Sequence, residues 1–293
     1  MNIKTSFTDF YELANGVKVP CIGYGTWQTP NGGVTQSCVK TAIQNGYRHI
    51  DTAFVYGNEE EVGAGIRDAG VARDEIFLTS KHWVTERGYK KTVAAVDASL
   101  KNLQVDYLDL YLVHWPCVEK CSPDWKEINA ETWRGFEDMY KAGKLRAIGV
   151  SNYQKKHIEA LYETAAVKPM VNQIEFHPGY TQYDNVLYSQ SQGMLVEAWS
   201  PLGSGAVLKD ERLAAIAAKY GKSVAQLCVR FAVQCGILPL PKSTAAERMI
   251  SNAQVFDFAI DEADMQALLN FELLGFSGFL PEDAPADALA AES

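Results

Sequence analysis

Short apolar runs recur along the chain at an even spacing, bounded by Gly, Pro, Asn or Asp. Each is followed by a longer stretch with apolar residues three and four apart. The short runs predict buried strands and the 3.6-residue periodicity predicts helices. Strands are expected at about 21–27, 47–53, 76–82, 107–115, 145–151, 169–176, 194–200 and 237–241. Helices are expected at about 33–45, 58–69, 90–103, 127–142, 154–164, 183–192, 211–235 (as two helices) and 245–255. Ahead of them, Tyr11 to Pro20 reads as a β-hairpin, with Asn15-Gly16 as a favoured two-residue turn. Eight strand–helix units in alternation predict an α/β fold, a (β/α)8 TIM barrel formed as one domain over residues 1–280. The alternative is an open doubly wound sheet. It would carry Gly-x-Gly-x-x-Gly after its first strand, and no such turn stands there.

Composition changes this picture little. With 47% hydrophobic and 22% charged residues among 293, the chain has enough apolar surface for a core without disulfides or metal. The net charge of −9 disfavours nucleic acid or an anionic membrane as partner. The six cysteines at 21, 38, 117, 121, 228 and 235 form no zinc-spaced array, so no metal site is expected. No apolar signal core or membrane-length run appears, so a cytoplasmic location with reduced thiols is expected. Residues 281–293, rich in Ala and acids and free of basic residues, are expected to be a disordered acidic tail.

In a barrel the C-terminal strand ends converge on one mouth. Asp51 ends the second expected strand, Tyr56 lies in the loop behind it, Lys81 ends the third and His114 the fourth. Buried Asp and Lys are costly unless paired, and on adjacent strands these two can pair. An ammonium near Tyr56 is expected to hold its phenol below the solution value of about 10, making it a proton donor near neutral pH. His114 offers a second hydrogen bond to the same substrate oxygen. A proton donor with neither nucleophile nor metal points to carbonyl reduction by a hydride from a cofactor. Taken singly, each residue reads as a structural ion pair, a surface tyrosine or a core histidine. Their concentration at three consecutive strand ends favours chemistry. Later strand ends supply donors for phosphate: Ser151-Asn152, Asn172-Gln173, Trp199-Ser200-Pro201-Leu202-Gly203-Ser204, and Lys242-Ser243 followed by Arg248.

Three stretches resemble signatures of the aldo-keto reductase superfamily. They are Gly46-Tyr47-Arg48-His49-Ile50-Asp51-Thr52-Ala53-Phe54-Val55-Tyr56-Gly57-Asn58-Glu59, Gly143-Lys144-Leu145-Arg146-Ala147-Ile148-Gly149-Val150-Ser151-Asn152-Tyr153, and Leu240-Pro241-Lys242-Ser243 with Arg248 beyond it. The resemblance implies a barrel whose N-terminal hairpin closes the bottom, with NADPH lying extended across the mouth. It implies a catalytic tetrad of Asp51, Tyr56, Lys81 and His114. For the cofactor it implies amide contacts from Ser151, Asn152 and Gln173, and stacking on Trp199. Ser200, Leu202, Gly203 and Ser204 would meet the diphosphate, with Thr26 and Asp51 completing the set. Lys242, Ser243, Thr244 and Arg248 would hold the adenosine 2′-phosphate, and Asn252 would reach the adenine. Trp199 in place of the more usual Tyr is similar to the bacterial branch that includes 2,5-diketo-gluconate reductases. Ser251 stands where relatives often carry a Glu against the adenine.

Trp27, Phe54, Trp83 and Trp115, at or just past strand ends, resemble the aromatic walls of the family's substrate pocket. His114 faces the same space. The implied substrate is a small carbonyl compound: an aldehyde, ketone, dicarbonyl or keto-sugar. The implied form is a monomer. Two other functions compete. One is an NADPH-binding regulatory subunit of a membrane channel, for which no N-terminal extension is evident. The other is a sugar hydrolase using Asp51 with Glu175 or Glu197, which leaves Lys81, Tyr56 and the Lys242–Arg248 cluster unexplained.

Overall fold

The computed structural model describes residues 3–272, 274 and 275. The expected domain end near 280 and the acidic tail over 281–293 lie outside the described residues. Two short strands come first, β1 (Phe10–Glu12) and β2 (Lys18–Pro20), antiparallel with Tyr11 opposite Val19. Their turn differs from expectation. Leu13 N–H donates to the Val17 carbonyl (2.9 Å) and Gly16 N–H to the Leu13 carbonyl (2.8 Å), which leaves a three-residue loop with Gly16 at φ +82°. A two-residue type I′ turn needs positive φ at both central residues, and Asn15 does not have it. Instead Asn15 Nδ2 donates to the Arg146 carbonyl at 2.9 Å.

The barrel elements follow as β3 (Tyr24–Gly25), α1 (Val34–Gln44), β4 (His49–Asp51), α2 (Glu59–Asp68), β5 (Phe77–His82), α3 (Tyr89–Leu103), β6 (Leu110–Val113) and α4 (Trp125–Lys141). Next come β7 (Ile148–Ser151), α5 (Lys155–Tyr162), β8 (Val171–Glu175), α6 (Tyr183–Ser191), β9 (Leu195–Trp199), α7 (Glu211–Lys219), α8 (Val224–Gln234), β10 (Leu238–Pro239), α9 (Ala246–Ala253) and α10 (Glu262–Leu269). Strands β3 to β10 pair in sequence order, all parallel. The cylinder closes where Gly23 N–H meets the Pro239 carbonyl (3.0 Å) and Gly25 N–H meets that of Pro241 (3.2 Å). This is the expected (β/α)8 barrel.

Every residue of β4 to β8 is buried, because helices cover the outside and side chains fill the inside. The paired strands are shorter than the apolar runs that predict them. Cys21 and Ile22, for example, are buried in the core without joining a strand. Helices pack closely outside the sheet: a Cβ on Gly63 of α2 would come within 2.1 Å of the Leu103 carbonyl, so only glycine fits there. The stretch at 211–235 divides as expected. Ser223 begins α8 with a capping box, its Oγ accepting from Gln226 N–H (3.2 Å) while Gln226 Oε1 accepts from Ser223 N–H (3.1 Å). Helix α10 was not anticipated; Asp261 caps it by accepting from Asp264 N–H at 2.8 Å. The hairpin buries Tyr11, Leu13 and Val19 and reaches Arg146, ahead of β7, so it lies at the N-terminal end of the barrel.

Candidate active site

At the opposite end, β5 delivers Lys81, fully buried, and β4 delivers Asp51 beside it. Lys81 has three hydrogens and three acceptors. It donates to Asp51 Oδ1 at 2.5 Å, to the Thr52 carbonyl at 2.8 Å and to Tyr56 Oη at 3.4 Å. Asp51 Oδ2 accepts from Gln173 Nε2 at 2.9 Å, so the carboxylate is bonded on both oxygens. The end of β4 is fixed from below: Thr26 donates its hydroxyl (2.9 Å) and its N–H (3.0 Å) to the Asp51 carbonyl. Thr26 is fully buried with its hydroxyl so engaged. It does not line the groove expected to take the cofactor, and it supports Asp51.

Tyr56 ends a one-turn 3-10 helix, Phe54–Tyr56, that turns the chain back over the strand end. Its hydroxyl faces inward to the buried Lys81. Burial raises the phenol above its ordinary value of 10.0; Lys81 opposes this and Asp51 adds to it. The expected depression is therefore not found. Desolvation is the largest effect, and Asp51 offsets part of the ammonium's pull. His114 follows β6 and sets its ring edge-on to Tyr56 (5.8 Å between centroids) and to Trp83 (5.1 Å). Burial, with Lys81 nearby, holds His114 well below 6.5, so the imidazole is neutral. Its Nδ1 is buried and meets no partner among the described residues. A bare lone pair costs less there than an unmet N–H, which favours the tautomer with hydrogen on Nε2.

The amide residues surround this group. Asn152, at φ +62°, donates from Nδ2 to the His114 carbonyl (2.9 Å), and its Oδ1 accepts from Trp199 Nε1 (2.9 Å). Ser151 Oγ donates to the Gln173 carbonyl at 2.8 Å. Gln173 spends its second amide hydrogen on Glu197 Oε2 at 2.8 Å. Trp83 and Trp115 form a buried cluster, with Phe54 and Trp199 packed against it. Trp27 is set apart and lines the groove.

That groove, of about 540 Å³, runs from Asp51 and Trp27 past Ser200, Leu202 and Ser204. It ends among Lys242, Ser243, Thr244, Arg248 and Asn252, with Ser251 also on its wall. Gln28, Gly205 and Ser223 line it too and were not anticipated. Gly203 does not: it is buried, and its missing Cβ would stand 3.2 Å from His177 Cε1. Arg248 Nε donates to Ser243 Oγ at 3.0 Å, and Lys242 Nζ reaches across to the Gln28 carbonyl at 3.2 Å. Lys242, Thr244 and Arg248 are exposed.

Glu197, which sequence reasoning offered only as a hydrolase carboxylate, is fully buried on the inner side of the tetrad. It shares the Gln173 amide with Asp51 and cannot flank an external glycosidic bond. Glu175 is turned to His177, 3.2 Å away. The one sequence signal for Glu197 is its place two residues before Trp199, on the same face of β9.

The aldo/keto reductase family model matches residues 21–272. The glyoxal reductase of Bacillus subtilis is 49% identical over 264 residues, covering 90% of this chain and 93% of that protein. An aldo-keto reductase enzyme from a Medee basin deep-sea metagenome library superposes with a TM-score of 0.88 at 39% identity, over 94% of this chain and 99% of the other. The Bombyx mori aldo-keto reductase in complex with NADP gives a TM-score of 0.87 at 35% identity, over 95% and 98%. Barrel, site geometry and relatives agree: the chain belongs to the aldo/keto reductase family.

Proposed function

We propose that this chain reduces small aldehydes and ketones, α-dicarbonyls foremost, to alcohols, with Tyr56 as the proton donor. The observation that carries this reading is the bonding of Lys81. Because Tyr56 Oη accepts a hydrogen from Lys81, the phenol's own hydrogen is left to point into the pocket. The cofactor is NADPH, and the residues present fit it. Exposed cations Lys242 and Arg248 close one end of the groove and suit a 2′-phosphate. Ser200 and Ser204, both in left-handed turns, lie midway, and the Trp199 ring stands at the tetrad end. Ser151, Asn152 and Gln173 lie near it, although their hydrogen bonds already support the tetrad. When bound, NADPH supplies the hydride to the carbonyl carbon.

The substrate oxygen is held by Tyr56 O–H and by the neutral imidazole of His114. As charge develops on that oxygen, Tyr56 transfers its proton to it, and the phenolate left behind is stabilised by Lys81. The walls formed by Phe54, Trp83 and Trp115 exclude water and favour a compact substrate. The name of the Bacillus subtilis relative supports a dicarbonyl. The working form we propose is a cytoplasmic monomer. All tetrad residues come from one chain, and no helix among the described residues is long and apolar enough to cross a membrane. Tyr56→Phe removes only the transferable proton, so kcat should fall at least about a hundredfold. NADPH binding, read by tryptophan fluorescence, should stay within a few fold. Near wild-type reduction by this variant would overturn the reading.

A further inference from the structure

Behind the tetrad the barrel holds a second carboxyl for which the mechanism above has no use. We propose that Glu197 is a positioning residue for the proton-donating group, acting as a neutral carboxylic acid whose ionisation is relayed through Gln173 to Asp51 and weakens reduction. The inference rests on the reading of Tyr56 as proton donor.

Among the described residues the geometry leaves one cation, Lys81, for two acids. Lys81 is matched to Asp51, and its remaining hydrogens go to the Thr52 carbonyl and Tyr56. Gln173 Nε2 has two hydrogens and gives one to each carboxyl, to Asp51 Oδ2 at 2.9 Å and to Glu197 Oε2 at 2.8 Å. Glu197 Oε1 is buried and meets no partner among the described residues. A carboxylate oxygen in that place would carry charge with no donor, which is far costlier than a neutral acid. From β4 Glu197 faces Asp51, from β5 Lys81 and from β8 the uncharged Gln173; its register partner on β10 is Leu238. Burial, then Asp51, push its carboxyl up to about 8, with Gln173 and Lys81 pulling only partly back.

The acid is therefore neutral at pH 7, and Lys81 with Asp51 leaves the pocket without net charge. Ionisation adds a negative charge behind Asp51. That charge raises the phenol of Tyr56 further, so its proton is given up less readily.

The test is the pH profile of Glu197→Gln, which replaces the acid's O–H by an N–H of similar shape and cannot ionise. Wild-type kcat/KM for aldehyde reduction should fall as pH rises through about 8, the value to which the carboxyl is pushed. The variant should match wild type within a few fold near pH 7 and hold its rate through that range. Stability supplies a second readout. The folded carboxyl titrates near 8 and the unfolded one near 4.5, so its stabilising contribution is complete below about 4.5 and lost as pH rises to 8. The Tm of the variant should therefore gain on that of wild type across this window and then run parallel. A profile for Glu197→Gln that coincides with wild type, or loss of reduction at every pH in a folded, NADPH-binding variant, would overturn the proposal. Should the variant not fold, infrared difference spectra of wild type on either side of pH 8 decide: a buried protonated carboxyl band must disappear, and its absence at the lower pH would overturn the idea. If Tyr56→Phe is inactive while the Glu197 outcomes fail, only this inference falls. If Tyr56→Phe stays active, the reading beneath it falls.

Discussion

At the tetrad end of the groove the ammonium of Lys81, both oxygens of Asp51 and the amide hydrogens of Gln173 are all engaged in hydrogen bonds. At the other end Lys242, Thr244 and Arg248 stand in solvent, with Lys242 bonded to the Gln28 carbonyl and Arg248 to Ser243 Oγ. The inner end satisfies its charges within the protein, in surroundings where a lone charge is expensive. The outer end holds its cations by few bonds, in surroundings where charge is screened. The proposed proton transfer needs the first arrangement because the proton must move without waiting for solvent. The phosphate capture proposed for the outer end works with the second.

The largest expected effect breaks the inner end. Lys81→Met leaves Asp51 buried without its cation, and losing one partner of a buried pair costs about 3–5 kcal/mol. Reduction should fall more than about a hundredfold and not recover as pH rises. Adding Asp51→Asn should restore much of the stability and none of the rate; denaturant titration beside turnover assays reads both. If Lys81→Met were as stable as wild type, the inner end would not be the charge-matched unit described above.

Arg248→Ala probes the outer end and should do the reverse. Its stability should stay within about 0.5 kcal/mol of wild type, as for exposed positions generally. NADPH binding should weaken about tenfold, in line with the loss of one charge-assisted bond, while NADH binding scarcely changes. The gap should shrink with salt. Dissociation constants at two ionic strengths test this, and equal losses for both cofactors would assign Arg248 to holding the helix. The smallest effect belongs to the residue between the ends. Trp199→Phe removes the indole bond to Asn152, a neutral hydrogen bond contributing about 0.5–1.5 kcal/mol, so cofactor affinity and rate should change less than about tenfold.

Much of this could be read from the order of residues. Eight alternating runs announce the barrel because the period changes from run to helix within a few residues. Asp51, Lys81 and His114 stand out because such side chains are unusual at apolar strand ends. What stayed hidden depends on neighbours distant in the chain. The direction in which Tyr56 shifts is set by burial against Lys81 and Asp51 together, and proximity to the lysine alone gave the wrong sign. Glu197 looks like any strand residue until β4 and β8 bring Asp51 and Gln173 to it. Thr26 and Gly203 lie in the right segments, yet one donates its hydroxyl inward and the other packs on His177. In the hairpin, Asn15 prefers a partner across the barrel base to the turn its sequence favours.

That hairpin also has a practical use. Ala14, Asn15 and Gly16 form an exposed tip at the end of the barrel away from the mouth. A linker to a bead, an electrode or a second catalyst attached through a reactive residue put in place of Ala14, sparing Gly16 at φ +82° and Asn15's tie to Arg146, would hold the protein upright with its groove facing the medium. Immobilised this way, the protein should present every copy in the same orientation, where coupling through scattered surface lysines would blind some copies through Lys242.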